Sequence, residues 1–122
     1  GSASALKLAC NAWIASITAA LGQSLALSSA LGVDPALFLK AIDGGPVNSP
    51  YAQVKGAAML AGNYETSFAV DGVVKDVDLM RAAAADIDVP SPLLDAVRTL
   101  FARASDEGHG GDDMAAVRTA FP

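Results

Sequence analysis

One cysteine, one histidine and seven aromatic residues in a chain of 122 leave it short of several common kinds of chemistry. Cys10 on its own excludes an internal disulfide, and with a single histidine it gives no zinc constellation, so no metal site is expected. Aromatics at 6 % argue against a β-sandwich, which draws on Val, Ile, Thr and aromatic side chains. The eight Lys and Arg residues are scattered through a chain of formal net charge −5. Phosphate binding needs them clustered, so nucleic acid is not an expected partner. An uninterrupted apolar span is lacking too: the stretch from Leu6 to Leu31 is broken by Lys7, Asn11, Ser16, Thr18, Gln23 and Ser24. No membrane span is expected, and the setting expected is cytoplasmic. There is no internal repeat and no low-complexity linker.

What the chain has instead is alanine and leucine. Hydrophobic residues make up 52 %, and small side chains of this kind suit closely packed helices. The length fits one domain. The fold class expected is all-α, about six helices with one long N-terminal helix and no convincing strand. The first helix runs from about Ser4 to Leu31, with Gly32 placed as a left-handed terminator. Leu6, Cys10, Trp13, Ile17, Leu21 and Leu25 recur at spacings of three or four and predict one apolar stripe, widened by Ile14, Leu27 and Leu31. Such a helix would be on the order of 40 Å long, more than a domain this size needs for its own core, which implies a second surface. Asp34 caps and Pro35 opens a second helix ending near Ile42. A third carries Ala52 to Leu60, and Tyr64 to Ala69 reads as extended with Phe68 as its apolar anchor. A fourth runs from about Asp71 to Ile87 and a fifth from Pro92 to Ser105, with Leu93, Val97, Leu100 and Phe101 as its apolar set. Asp112 or Asp113 caps a last short helix through Ala120.

Against this apolar background two polar residues stand out. Lys7 and Asn11 are four apart on the first helix and therefore share a face. An amine and an amide projecting from an apolar surface can donate a proton to a carbonyl oxygen and orient it; a solvated lysine and a surface amide are the bland alternative. On the fourth helix, with Val73 at 0°, Lys75 falls near 200° and projects away from the core, where Asp71 or Asp78 could pair with it. Asp76, near 300°, borders the apolar face and reads as a local structural hydrogen-bonding residue. His109 reads as a surface loop residue without an identifiable partner. Ser49 and Tyr51 could touch a ligand but more simply pack a loop, and Cys10 reads as a small core residue.

Taken in order, Gly1 opens a G-x-x-x-x-x-K-x-x-x-N string, and Leu31-Gly32-Val33-Asp34-Pro35 follows. Next come Phe68, Lys75-Asp76-Val77-Asp78-Leu79 and Val89-Pro90-Ser91-Pro92, then Gly108-His109-Gly110-Gly111-Asp112-Asp113-Met114-Ala115-Ala116. In this order and at these distances, over essentially the whole chain, they resemble the C-terminal domain of the β-hydroxyacid dehydrogenase family. That family includes 3-hydroxyisobutyrate dehydrogenase and the glyoxylate and succinic semialdehyde reductases, and is related to 6-phosphogluconate dehydrogenase. The resemblance implies a helical domain of the 6-phosphogluconate dehydrogenase C-terminal type. It implies Lys7 as catalytic proton donor or acceptor, Asn11 as substrate-binding, and Lys75 and Phe68 as cofactor-binding. It also implies NAD or NADP, a small hydroxyacid or its aldehyde or keto counterpart as substrate, and a homodimer. The family's other half opens with a strand and a G-x-G-x-x-G turn that holds the pyrophosphate. Nothing here reads that way, so the expectation is residues 1–122 as one catalytic-lysine and dimerisation domain. Its N-terminal Rossmann domain is absent from this chain, which would be inactive alone. Three positions depart from the family pattern: Ala3 for a glycine, Gln23 for a glutamate and Ala115 for a serine. Imine reductases of the same fold usually replace the lysine, so its retention favours hydroxyacid or aldehyde chemistry. The other class of function left open is a non-enzymatic helical dimerisation or interaction module.

Overall fold

The computed structural model describes residues 1–122. Five α-helices follow one another: α1 (Ser2–Ala30), α2 (Pro35–Ile42), α3 (Pro50–Ala61), α4 (Val70–Asp86) and α5 (Pro92–Ala104). A wide turn over Ser105–His109 then leads into a 3₁₀ helix, Met114–Ala120, the sixth helix and one of tighter pitch than the α-helix expected there. There is no strand, only an isolated bridge between Ala69 and Asp113.

The boundaries follow local chemistry. The Asp34 side chain accepts from the Ala36 amide, with Pro35 in the first turn of α2. Ser49, read as a loop residue, instead caps α3: its Oγ accepts from the Ala52 amide at 3.0 Å. Gly62 closes α3 at φ 64°, a left-handed conformation that glycine adopts without Cβ strain.

All other helices pack on α1. By length and composition α1 would also reach across a bilayer; here it is the common partner at the centre of the fold. Its buried face keeps only Leu21 and Leu25 of the stripe expected from spacing. The inward positions are Ala15, Thr18, Ala19, Leu21, Gly22, Leu25 and Ala26. Leu6, Trp13, Leu27 and Leu31 are exposed, as is Cys10, so the stripe holds at Leu21 and Leu25 but not along its length, and Cys10 is not a core residue. Close approach is the reason: a Cβ on Gly22 would lie 3.3 Å from the Phe121 ring and 3.4 Å from Arg118 Cα. Small residues let the 3₁₀ helix sit directly on α1, and Leu6, Trp13, Leu27 and Leu31 are turned outward. Val70, Val77, Phe101 and Val117 are fully buried and complete the core with Leu25. Leu93, expected in the apolar set of α5, stands at its start and is exposed, as is Ile87 just past the end of α4.

Candidate functional site

Between α1, α3 and α4 lies a cavity of about 270 Å³. From α1 come Asn11, Ile14 and Ala15; from α3, Tyr51 and Lys55; from α4, Val73, Asp76 and Met80. Ser67, Phe68 and Met114 close the remaining side. Of the residues singled out in the sequence, the structure brings Asn11, Tyr51, Phe68 and Asp76 into this cavity. Asn11 is half-buried, and no hydrogen bond within the chain uses its carboxamide. Lys7 lies one turn nearer the N-terminus of the continuous helix α1. With Asn11 at 0°, Lys7 falls at about 320°, inside the arc from Ile14 at about 300° to Ala15 at about 40°. Lys7 therefore stands on the extension of the cavity face, exposed to solvent and without an ion-pair partner.

Phe68, expected as the apolar anchor of its stretch, is only partly covered. It is 45 % exposed, and its ring lies against Gly72, where a Cβ would sit 3.0 Å from Phe68 Cε1. Lys75 is one turn further along α4, exposed as its helical phase predicted. It pairs with neither aspartate proposed for it. Asp78 is taken by Arg98 and Arg81, and Asp71 accepts from the Ser105 hydroxyl. Asp76 faces the cavity and makes no local hydrogen bond, correcting its structural assignment.

The residues that sequence reasoning missed are Lys55 and Asp113. Lys55 Nζ donates to Asp113 Oδ2 at 2.7 Å, the side chains being 12 % and 4 % exposed. Asp113 does cap the last helix, accepting from the Ala115 amide, but it does far more. Its Oδ1 accepts from the Ser67 amide and hydroxyl and from the Phe68 amide. Burial resists its charge, but the Lys55 ammonium and the amides of Ala115, Phe68 and Ser67 outweigh it and hold the carboxyl well below the usual carboxylate range. One carboxylate thus fixes the wall that carries Ser67 and Phe68. The local hint was Tyr51 and Lys55 at i, i+4, whose ammonium sits 5.6 Å from the ring centroid. His109 also departs from expectation: Nδ1 is 2.8 Å from Asp112 Oδ2, and the ring meets Tyr64 edge-on at 6.0 Å between centroids. That pair braces the turn before the last helix and lies outside the cavity.

Residues 1–120 match the family described as NAD-binding of NADP-dependent 3-hydroxyisobutyrate dehydrogenase. The chain is 28 % identical over 121 residues to glyoxylate/succinic semialdehyde reductase 2, chloroplastic, of Arabidopsis thaliana, covering 99 % of this chain and 34 % of that protein. It is 36 % identical over 104 residues to the L-threonate dehydrogenase of Cupriavidus necator, covering 85 % of this chain and 35 % of that protein. Among solved structures it is similar to 3-hydroxyisobutyrate dehydrogenase from Salmonella typhimurium. The TM-score is 0.90 at 26 % identity, over 97 % of this chain and 41 % of that one. The chain thus spans about a third of the length of these two curated relatives.

Proposed function

This chain belongs to the NAD-binding family of NADP-dependent 3-hydroxyisobutyrate dehydrogenase, and from that premise we propose that it is the helical, catalytic-lysine domain of an NAD(P)-dependent oxidoreductase. The substrate is a small hydroxyacid or its aldehyde or keto counterpart, and a Rossmann domain elsewhere in the protein binds most of the dinucleotide. The observation that carries the reading is the shared face of α1, where Lys7 and Asn11 stand in line with the cavity.

The residues present suit one end of such a cofactor. Phe68 offers a half-exposed aromatic face, and Lys75, one turn beyond the glycine under that ring, offers a cation free of intrachain partners. No glycine-rich turn after a strand is present to hold a pyrophosphate. When bound, the nicotinamide supplies or receives the hydride at the substrate carbon. Lys7 gives a proton to the carbonyl oxygen as it becomes a hydroxyl, and takes it back in the oxidative direction. Asn11 uses its uncommitted carboxamide to hold the substrate in register with Lys7. Ile14, Val73, Met80 and Met114 supply the apolar walls that keep water from the reacting centre.

Three variants of the full-length protein separate these roles. Lys7→Ala lowers kcat by at least ~10²-fold while cofactor affinity stays near normal. Asn11→Ala impairs substrate binding and turnover together. Lys75→Ala raises the dissociation constant of the cofactor. Near-full turnover by Lys7→Ala at saturating substrate would overturn the proton-transfer role.

A second reading, a helical dimerisation module without catalysis, is favoured by the exposed apolar side of α1. Trp13 is 67 % and Leu31 72 % exposed there, an expanse that a second copy would cover. The two readings divide on cofactor binding: the module alone predicts a dimer that does not bind NAD or NADP in the full-length protein.

A further inference from the structure

Lys55 spends only one of its three N–H donors inside the chain. Nζ meets Asp113 Oδ2, the side chain is almost buried, and what remains open of it faces the cavity that Asn11 and Asp76 also line. An ammonium has three donors and no acceptor function, so two N–H groups of Lys55 are free to meet a molecule that enters the cavity. Asp113 cannot satisfy them further, because its two oxygens already take four other donors, from Ser67, Phe68 and Ala115. No group of the chain other than Asp113 accepts from Lys55.

The surrounding charge decides which acceptor fits. A second carboxylate at Lys55 would meet Asp113 behind the ammonium and Asp76 across the same cavity. A hydroxyl oxygen accepts from Lys55 without adding charge, and its own proton can pass to Asp76 or to the Asn11 carbonyl oxygen. An alkyl group fills the same space and leaves the donors unpaired. The volume, about 270 Å³, lies just below the usual range of small-molecule sites, roughly 300–1,000 Å³, and limits the acid to a few carbons.

We propose that Lys55 is a specificity-determining residue that donates hydrogen bonds to hydroxyl groups on substrate carbons other than the reacting one, so that the site selects short polyhydroxylated acids over their alkyl counterparts. This rests on the oxidoreductase reading above and adds to it the residue that reads the far side of the substrate.

The test compares two four-carbon acids in the full-length protein with NAD and with NADP: L-threonate, with three hydroxyls, and 3-hydroxybutyrate, with one. The wild type has a kcat/KM for L-threonate at least ~10-fold higher, the scale of a hydrogen bond to a charged group. Lys55→Met, close in length and apolar, lowers that ratio by ~10–100-fold and weakens the calorimetric Kd for L-threonate by a similar factor. Lys55→Arg, which keeps the charge and the donors, stays within about threefold of the wild-type ratio. If Lys55→Met fails to fold because Asp113 loses its counter-charge, the wild-type preference and the Lys55→Arg ratio decide. A wild-type ratio near one, a ratio that Lys55→Met leaves unmoved, or a collapsed ratio in a folded Lys55→Arg overturns the proposal while leaving the oxidoreductase reading intact. Failure of the wild type to oxidise either acid overturns the proposal, and failure to bind NAD or NADP as well overturns the oxidoreductase reading.

Discussion

The Lys55–Asp113 pair and the Arg81–Asp78–Arg98 cluster both join opposite charges at short range, 2.7 Å in the first and 2.6 Å for Arg98 Nε to Asp78 in the second. Their surroundings separate them. The first is buried and ties α3 to the start of the last helix and to the Ser67–Phe68 wall of the cavity. The second lies on the surface, where Asp78 of α4 accepts from Arg98 of α5 and from Arg81, and Arg81 reaches Asp95. In water a charge that loses its partner is re-solvated, so such a contact adds little. Inside the fold the stranded partner has nothing to turn to. The buried pair organises the candidate site, and the surface cluster merely clips two helices together.

Breaking the buried pair from the acidic side has the largest expected effect. Asp113→Ala removes the counter-charge of Lys55 and strips acceptors from the amides of Ser67, Phe68 and Ala115. The cost is about 3–5 kcal/mol, a fall in Tm of roughly 10–20 °C for a chain of this length. Chemical and thermal denaturation measure it directly. A loss below about 1 kcal/mol would show the buried pair to be no different in kind from the surface one.

Acid sharpens the comparison next. The folded Asp113 carboxyl titrates below its unfolded value, so the native state binds fewer protons than the unfolded one around that value. The stability it contributes is therefore complete above the unfolded value of ~3.9 and is lost as pH falls below it. Denaturation profiles should be flat in this respect from neutrality to about pH 5 and decline below about pH 4. The decline should be shallower in Asp113→Asn, which does not titrate. Equal slopes in wild type and variant would remove Asp113 from the acid response.

These contrasts also explain what could be read in the sequence. Helix limits were legible at Asp34-Pro35, Gly62 and Pro92, because caps and breakers act within a few residues. Asn11 was legible as a cavity residue because its neighbours on the helix face are fixed by the 100° rotation. The packed face of α1 was legible only at Leu21 and Leu25: spacing assigns large apolar residues inward, whereas the 3₁₀ helix lying against Gly22 favours Ala15, Ala19 and Ala26. Lys55 and Asp113 stand 58 positions apart, and no local rule connects them. Each alone looks like an ordinary surface charge or a cap. The same limit applied to Lys75, whose local candidates Asp71 and Asp78 were claimed by Ser105 and by arginines from the next helix and the next turn.

The smallest effect belongs to the surface cluster. Its geometry is good, with Arg98 presenting both Nε and Nη2 to the two Asp78 oxygens at 2.6 and 3.3 Å. The hydrogen bond from Arg98 holds the Asp78 carboxyl below its usual value even though partial burial opposes it. Exposure nevertheless governs the outcome, since the four side chains in the cluster are 37–55 % accessible to solvent. Replacing Asp78 leaves Arg81 its bond to Asp95 and returns Arg98 to water. Asp78→Ala should lower Tm by no more than about 3 °C in dilute buffer. In 1 M salt, where the screening length is about 3 Å, wild type and variant should melt together. The Asp113→Ala deficit should persist in the same salt, because ions cannot screen a pair they do not reach. A salt-independent loss at Asp78 as large as that at Asp113 would mean that network geometry, and not burial, sets the strength of ion pairs in this domain.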